Sequence, residues 1–346
     1  MNKVFFKIPI SKIYITAFLF LMLAVAMTVG FWFRWCYSLP ALILIGIASY
    51  DACMKIHNAT ESDSPLQVDL GMLIVLMIIP IWLVAVGMGG FLGQEQFDNS
   101  YRNAVLYELV QKSWPVTEVV DGQEYYLSYF FTYWLPVAVI GKVFHSMIAA
   151  YAGLIIYAYI WIALTAILVM HYCGGKRNLL TGLLLLLFIP PIIFNHIIFQ
   201  NILGWYRCWC ATDPILFGSP TMLYNCTFIY NQTLPVVMSI PIMLRMRKYP
   251  GIVSMLLSMI FYYGPIETVP LIPVVAVLVL KNLRCLKTLE FWTAVTMALL
   301  VSIFFAGNSN GTHIKGIWED EYSVVQIIVM FFAYICISIA VFLPFI

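Results

Sequence analysis

The sequence predicts an all-α fold, a polytopic transmembrane helical bundle of about 10–11 spans with juxtamembrane helices in its first large external loop. Three observations predict it. Of 346 residues, 63% are hydrophobic and only 10% are charged. Apolar runs of about 18 to 25 residues, enough to cross a ~30 Å hydrocarbon core, recur from Ile13 to Phe345. The longest polar stretch, about 30 residues, is too short to bury a core of its own. Residues 1–346 therefore read as a single integral-membrane domain, with 92–146 as an external juxtamembrane or re-entrant segment inside it. The implied partner is the lipid bilayer. A net charge of +2 gives no ground for a nucleic-acid partner, and the sequence is silent on oligomerisation.

The predicted spans, in order, are 13–33, 37–54, 70–91, 147–171, 178–200, 229–246, 250–264, 267–281, 289–306 and 324–345. The first follows MNKVFFKIPISK and resembles a signal peptide with Ala24-Val25-Ala26 as its cleavage site. Its apolar run continues through Val29, Phe31, Trp32 and Phe33, so an uncleaved span is expected. The spans 250–264 and 267–281 are short and either tilted or broken. No internal repeat is found, so inverted-repeat transporter architecture gains no support.

Leu127 to His145 is also apolar, but Lys142 and His145 interrupt its end. If it does not cross, and the N-terminus is cytoplasmic, 12 of the 18 basic residues fall inside. These are Lys3, Lys7, Lys12, Lys55, Lys176, Arg177, Arg245, Arg247, Lys248, Lys281, Arg284 and Lys287. Eleven of the 16 acids then fall outside. If 127–145 crosses, eight of those basic residues move out, so the rule that cytoplasmic loops are basic favours the non-crossing arrangement. The segments 92–146, 201–228, Gly264-Pro265-Ile266-Glu267 and 307–323 then share the non-cytoplasmic face. A multi-pass protein of the bacterial inner membrane is the expected setting.

The first external segment is the most informative. Phe97, Tyr101, Val105 and Leu109 recur at about four-residue spacing, which predicts an amphipathic helix lying against the membrane or the bundle. Trp114-Pro115 stops it, and Asp121-Gly122 is a turn signal. Asp98 and Arg102 sit four apart on one face of that helix. Five of the eight cysteines lie in or beside apolar runs and read as small packing residues. Cys208, Cys210 and Cys226 share one loop, where either a bridge or free thiols fit. His196 has no second ligand at metal spacing. Four Asn-x-Thr sequences, at Asn58, Asn225, Asn231 and Asn310, match the glycosylation pattern and are irrelevant in a bacterium.

Asp98 with Asn103-Ala104-Val105-Leu106, then Ser113-Trp114-Pro115-Val116, Tyr133-Trp134-Leu135-Pro136 and Gly141-Lys142, resembles bacterial membrane proteins of the GT-C glycosyltransferase kind. Tyr230-Asn231-Gln232-Thr233-Leu234-Pro235 and Tyr263-Gly264-Pro265 look like further shared segments. The resemblance spans roughly residues 70 to 310. It implies transfer of a sugar from a polyprenyl-phosphate donor to an envelope acceptor on the non-cytoplasmic face. Chains of that group usually run longer, so a C-terminally shortened member is expected, and site residues beyond Ile346 would be missing.

Inverting sugar transfer needs a carboxylate to take the acceptor's proton and positive charge to stabilise the departing phosphate. The resemblance makes Asp98 the base; by local pattern alone it is a helix cap or a partner of Arg102. Arg102, Lys142 and Arg207 are the candidate phosphate contacts, with snorkelling to the headgroups the other reading of Lys142. Asn231 and Gln232 either join helices or bind sugar hydroxyls. Glu267 is a candidate for acceptor binding or, with Asp98, for a divalent metal, the one cofactor this chemistry admits. Trp114, Tyr125, Tyr129 and Trp205 are the expected pocket walls. The acids Glu319, Asp320 and Glu321 read as a solvated run. Two other functions fit the composition: a lipid or small-solute transporter or flippase, and a non-catalytic membrane component. A transporter needs a polar lane through its spans, and the spans carry few charges, Asp51 being the clearest acid.

Overall fold

The computed structural model describes residues 4–85, 88–91, 97–120, 122–127, 129–172, 230–268 and 271–306. The chain divides into two units, 1–179 with 228–308 and 180–227 with 309–346, and every described residue belongs to the first. The predicted spans 178–200 and 324–345 lie outside the described residues.

The first unit is an all-α bundle of membrane type. Its helices are α1 (Ile10–Trp32), α2 (Trp35–Thr60), α3 (Leu70–Ala85), α4 (Phe97–Gln111), α5 (Leu135–Phe144) and α6 (Met147–Tyr172). After the second unit's first stretch come α7 (Tyr230–Arg245), α8 (Pro250–Tyr263), the single turn α9 (Pro265–Thr268), α10 (Ile272–Lys281) and α11 (Leu289–Ala306). Three helices, α1, α2 and α6, are long and apolar enough to cross a membrane. The exposed faces show what solvates them. On α2, Leu39, Ile43, Ile47 and Tyr50 are exposed at spacings of four, four and three, which makes one apolar stripe. Ile148, Ile156, Leu299 and Ile303 are exposed likewise. Water rejects such contiguous apolar surface, and lipid accepts it.

Polar contacts gather at two ends. At one, Arg245 Nη2 donates to both carboxylate oxygens of Asp63 (2.7 and 2.8 Å) and to the Ala59 carbonyl (2.7 Å). His171 Nε2 lies 3.7 Å from Asp63, and its Nδ1 is 3.3 Å from the Tyr14 hydroxyl. This network joins the start of α1 to the ends of α2, α6 and α7. Lys55 Nζ ties α2 to the first turn of α11 through Glu290 Oε1 at 2.5 Å. The short strand β1 (Val4–Ile8) pairs antiparallel with β2 (Leu66–Asp69). The described basic residues Lys12, Lys55, Arg245, Arg247, Lys248, Lys281, Arg284 and Lys287 lie on the helix ends and turns of this basic end, and Lys7 on its strand β1.

The opposite end is aromatic. Trp32 stacks on Phe131 at 4.1 Å, and Thr28 donates to the Thr132 hydroxyl at 3.0 Å. The 3-10 turn Phe131–Trp134 leads into α5, and His145, in the left-handed conformation, turns the chain into α6. Ten residues of helix span about 15 Å, half a hydrocarbon core. Both ends of α5 are held here: its entry by Trp32 and Thr28, its exit by Lys142 bonding the end of α4. Both ends of α5 therefore make their contacts at the aromatic end.

The predicted spans and the face of α4 are refined. The stretch 267–281, expected to be short and tilted or broken, holds the end of the single turn α9 and then α10 from Ile272; within 70–91, Leu70–Ala85 is helix and Met88–Gly90 a 3-10 turn. The buried stripe of α4 is Arg102, Asn103, Leu106, Leu109 and Val110, while Tyr101 is 61% exposed. The helix is turned so that its apolar stem and guanidinium meet the bundle, because an aromatic face there receives the cation.

Between the ends the helices are close-packed. Tyr263 donates to the Leu21 carbonyl at 2.7 Å and Tyr262 to the Met297 carbonyl at 3.0 Å, so two buried phenols are satisfied by neighbouring backbones. A Cβ on Gly141 of α5 would sit 2.6 Å from Val110 Cγ2 and 2.9 Å from Ala150 Cβ. Gly141→Ala is expected to destabilise the bundle by ~1–3 kcal/mol through overpacking. Gly46→Ala on α2, where a Cβ meets nothing within 4 Å, gains helix propensity and is expected to be neutral or stabilising by up to ~1 kcal/mol. Thermal unfolding of both variants in one detergent tests the contrast; equal midpoints would contradict it.

Candidate functional site

The aromatic end holds most of the candidate residues. Arg102 is 5% exposed, and its guanidinium carbon lies 5.6 Å from the centre of the Tyr230 ring. A cation over an aromatic face gains about 0.5–2 kcal/mol, more as water is excluded. Tyr230 in turn accepts a hydrogen bond from Trp134 Nε1 at 3.2 Å and packs edge-on to Tyr133 at 5.3 Å. Tyr129 stacks on Trp134 at 6.0 Å. Three stretches thus converge: α4, the turn before α5, and the first turn of α7.

Asn231 is fully buried in that first turn, and neither its amide nitrogen nor its amide oxygen has a hydrogen-bond partner among the described residues. Leaving such a group unpaired costs about 1–3 kcal/mol. Pro235, four residues on, lacks the N–H that would bond the Asn231 carbonyl within the helix. Asn231 thus carries a buried side-chain amide whose hydrogen-bonding capacity the described residues do not meet. Gln232 and Thr233 are buried beside it.

Lys142 has a different place from the one expected of a phosphate contact. Its ammonium donates to the carbonyls of Val110 (3.1 Å) and Lys112 at the end of α4, and lies 5.4 Å from the Trp114 ring centre. The last carbonyls of a helix lack internal partners, so this amine caps α4 and ties it to α5. Trp114 completes the clamp: Nε1 donates to the Leu109 carbonyl at 2.8 Å, and the ring packs on Phe31 and Trp32. Below it, Lys112 bridges Glu108 and Glu118, and those hydrogen bonds raise the lysine's pKa. The antiparallel hairpin Thr117–Val120 with Gln123–Tyr126 follows; Gly122 takes a positive φ of 78° in its turn. Tyr125 is exposed on this hairpin rather than part of the buried aromatic cluster.

Asp98 sits in the first turn of α4, four residues before Arg102, and Glu267 sits in α9; their side chains lie outside the described residues. Arg207, Trp205, His196, the three loop cysteines and Glu319 to Glu321 also lie outside them. Among the described residues no three His, Cys, Asp or Glu side chains converge to hold a metal.

One buried acid carries no sequence signal. Glu290 is 1% exposed; Oε1 takes Lys55, which also bonds Asp51 at 2.7 Å, and Oε2 has no hydrogen-bond partner among the described residues. An acid in the first turn of a helix reads as a routine terminal charge. Its partner lies 235 residues away, so no local pattern marks the pair.

Lys142→Met keeps the apolar stem and removes the cap. Loss of two charge-assisted hydrogen bonds is expected to lower stability by about 2–4 kcal/mol and to release α4 first. Hydrogen exchange at Leu109 to Lys112 reads this directly; unchanged protection there would rule out the clamp.

No family model, curated protein or solved structure matches this chain.

Proposed function

We propose that the chain is a multi-pass enzyme of the bacterial inner membrane that transfers a sugar from a polyprenyl phosphate to an envelope acceptor. Its aromatic end faces away from the cytoplasm and its N-terminus lies inside. The observation that carries the reading is the meeting of a buried guanidinium, a tryptophan-held tyrosine and the unconsumed amide of Asn231 at the end of the bundle where α4 begins with Asp98. An amide offers a donor and an acceptor, which suits sugar hydroxyls. A guanidinium suits a phosphate. The GT-C-like segments quoted above around Asp98, Tyr133 and Tyr230 fall on these same elements, while Tyr263-Gly264-Pro265 lies at the junction of α8 and α9.

In the proposed reaction the acceptor hydroxyl attacks the anomeric carbon as Asp98 takes its proton. The bond from that carbon to the phosphate oxygen breaks, and polyprenyl phosphate leaves with the electron pair. Arg102 stabilises the charge that builds on the leaving oxygen.

The direct test uses inverted and right-side-out vesicles, a synthetic short-chain polyprenyl-phosphate hexose, and envelope lipids as acceptor. Asp98→Asn keeps the shape and removes the base, and is expected to lower transfer at least about 100-fold with insertion unchanged. Asn231→Leu is expected to raise KM for the donor. Full transfer by Asp98→Asn would exclude the assignment. Orientation is read separately: alkaline phosphatase fused at Gly122 should be active, and fused after Lys248 inactive. The reverse pattern would place the site in the cytoplasm.

A further inference from the structure

At the basic end two cavities adjoin, with Lys248 and Tyr249 in the wall of both. The larger, about 580 Å³, is lined by Ala59, Tyr172, Leu244, Arg245 and Arg247 besides the shared pair. The smaller, about 110 Å³, is lined among others by Lys55, Asn282, Arg284, Thr288 and Glu290. The acids here are already matched. Asp63 is held by Arg245, and Lys55 is shared by Asp51 and Glu290. Arg247, Lys248 and Arg284 are exposed and make no ion pair among the described residues. Five cations against three carboxylates leave two positive charges around the two cavities.

The surface beside the cavities is apolar. Leu244, Leu280, Leu283 and Trp292 are exposed on the same helices and turns. Trp292 Nε1 donates to the Leu286 carbonyl while the side chain stays exposed, as a tryptophan of an interfacial belt would. A ligand reaching these cavities from the side therefore comes from the lipid.

We propose that the paired cavities hold the headgroup of a lipid with two phosphodiesters, of the cardiolipin class. One phosphate takes Arg247 and Lys248 in the larger cavity, and the other takes Arg284 and Lys248 at the smaller. Basic pockets between helices at a membrane face suit such headgroups. The double negative charge matches the two uncompensated positive charges. The acyl chains run along Leu244, Leu280 and Leu283. The cluster lies at the opposite end from Arg102 and Asn231, so the proposal stands or falls apart from sugar transfer.

Native mass spectrometry of the purified full chain in detergent tests it. Cardiolipin, twice its molar amount of phosphatidylglycerol, and the deacylated cardiolipin headgroup compete for the protein. Retention of one cardiolipin at least about fivefold over phosphatidylglycerol is expected. Arg247→Ala, Lys248→Ala and Arg284→Ala should each lower retention about fivefold, the worth of one cation near an anionic headgroup. Lys281→Ala and Lys287→Ala, exposed at the same end but outside both cavities, should leave it unchanged. Equal retention of phosphatidylglycerol, or equal loss in Lys281→Ala, would reduce the site to general basic attraction and overturn the proposal. Retention of the deacylated headgroup as strong as that of the lipid would move the ligand into the aqueous phase and overturn its lipid source.

Discussion

The bundle's geometry hangs on the Arg245–Asp63 pair. Fixing one end of helices α1, α2, α6 and α7 constrains what faces what at the other. Arg245 binds the carboxylate through both oxygens and adds the Ala59 carbonyl, so it fixes the height of α7 against α2 as well as its direction. His171 and Tyr14 extend the tie to α6 and α1. Each partner is only part-exposed, so removing one leaves a charge without its match in a poorly solvated place. At the far end this register brings Trp134 to Tyr230 and Thr28 to Thr132. The amides and the guanidinium of the candidate site inherit their positions from an ion pair at the opposite membrane face.

Much of the fold was legible because the bilayer reduces span prediction to counting. The run 147–171 corresponds to α6 (Met147–Tyr172), and 289–306 to α11 (Leu289–Ala306). The turn at Gly122 was legible too, since Asp-Gly marks a tight reversal; the strands on either side of it were not, being four residues each. Which face α4 turns to the bundle was not legible, for a physical reason. Apolar spacing favours Tyr101, yet a tyrosine is at home in an interface and an arginine can enter a core that offers an aromatic ring. The ring belongs to Tyr230, far along the chain.

The candidate site was legible in its residue types and not in their partners. A lysine in an apolar segment announced that Lys142 is unusual. What it binds, two backbone carbonyls, has no letter in the sequence. Asn231 was weighed equally as helix glue and as a ligand group, and its amide finds no helix to glue among the described residues. Glu290 passed unnoticed because an acid at the start of a helix is ordinary until the packing shows what covers it.

The pairing of Val4–Ile8 with Leu66–Asp69 bears on how the first two helices are held. Both strands lie within the first 69 residues, and α1 and α2 lie between them. The ribbon can close only when both helices have turned back on each other. It latches α1 and α2 as an antiparallel helical hairpin, so their pairing is fixed by the residues that flank them and not only by the rest of the bundle. Breaking the pairing of Val4–Ile8 with Leu66–Asp69 would therefore loosen the α1–α2 hairpin at its open end while leaving the buried faces of both helices intact.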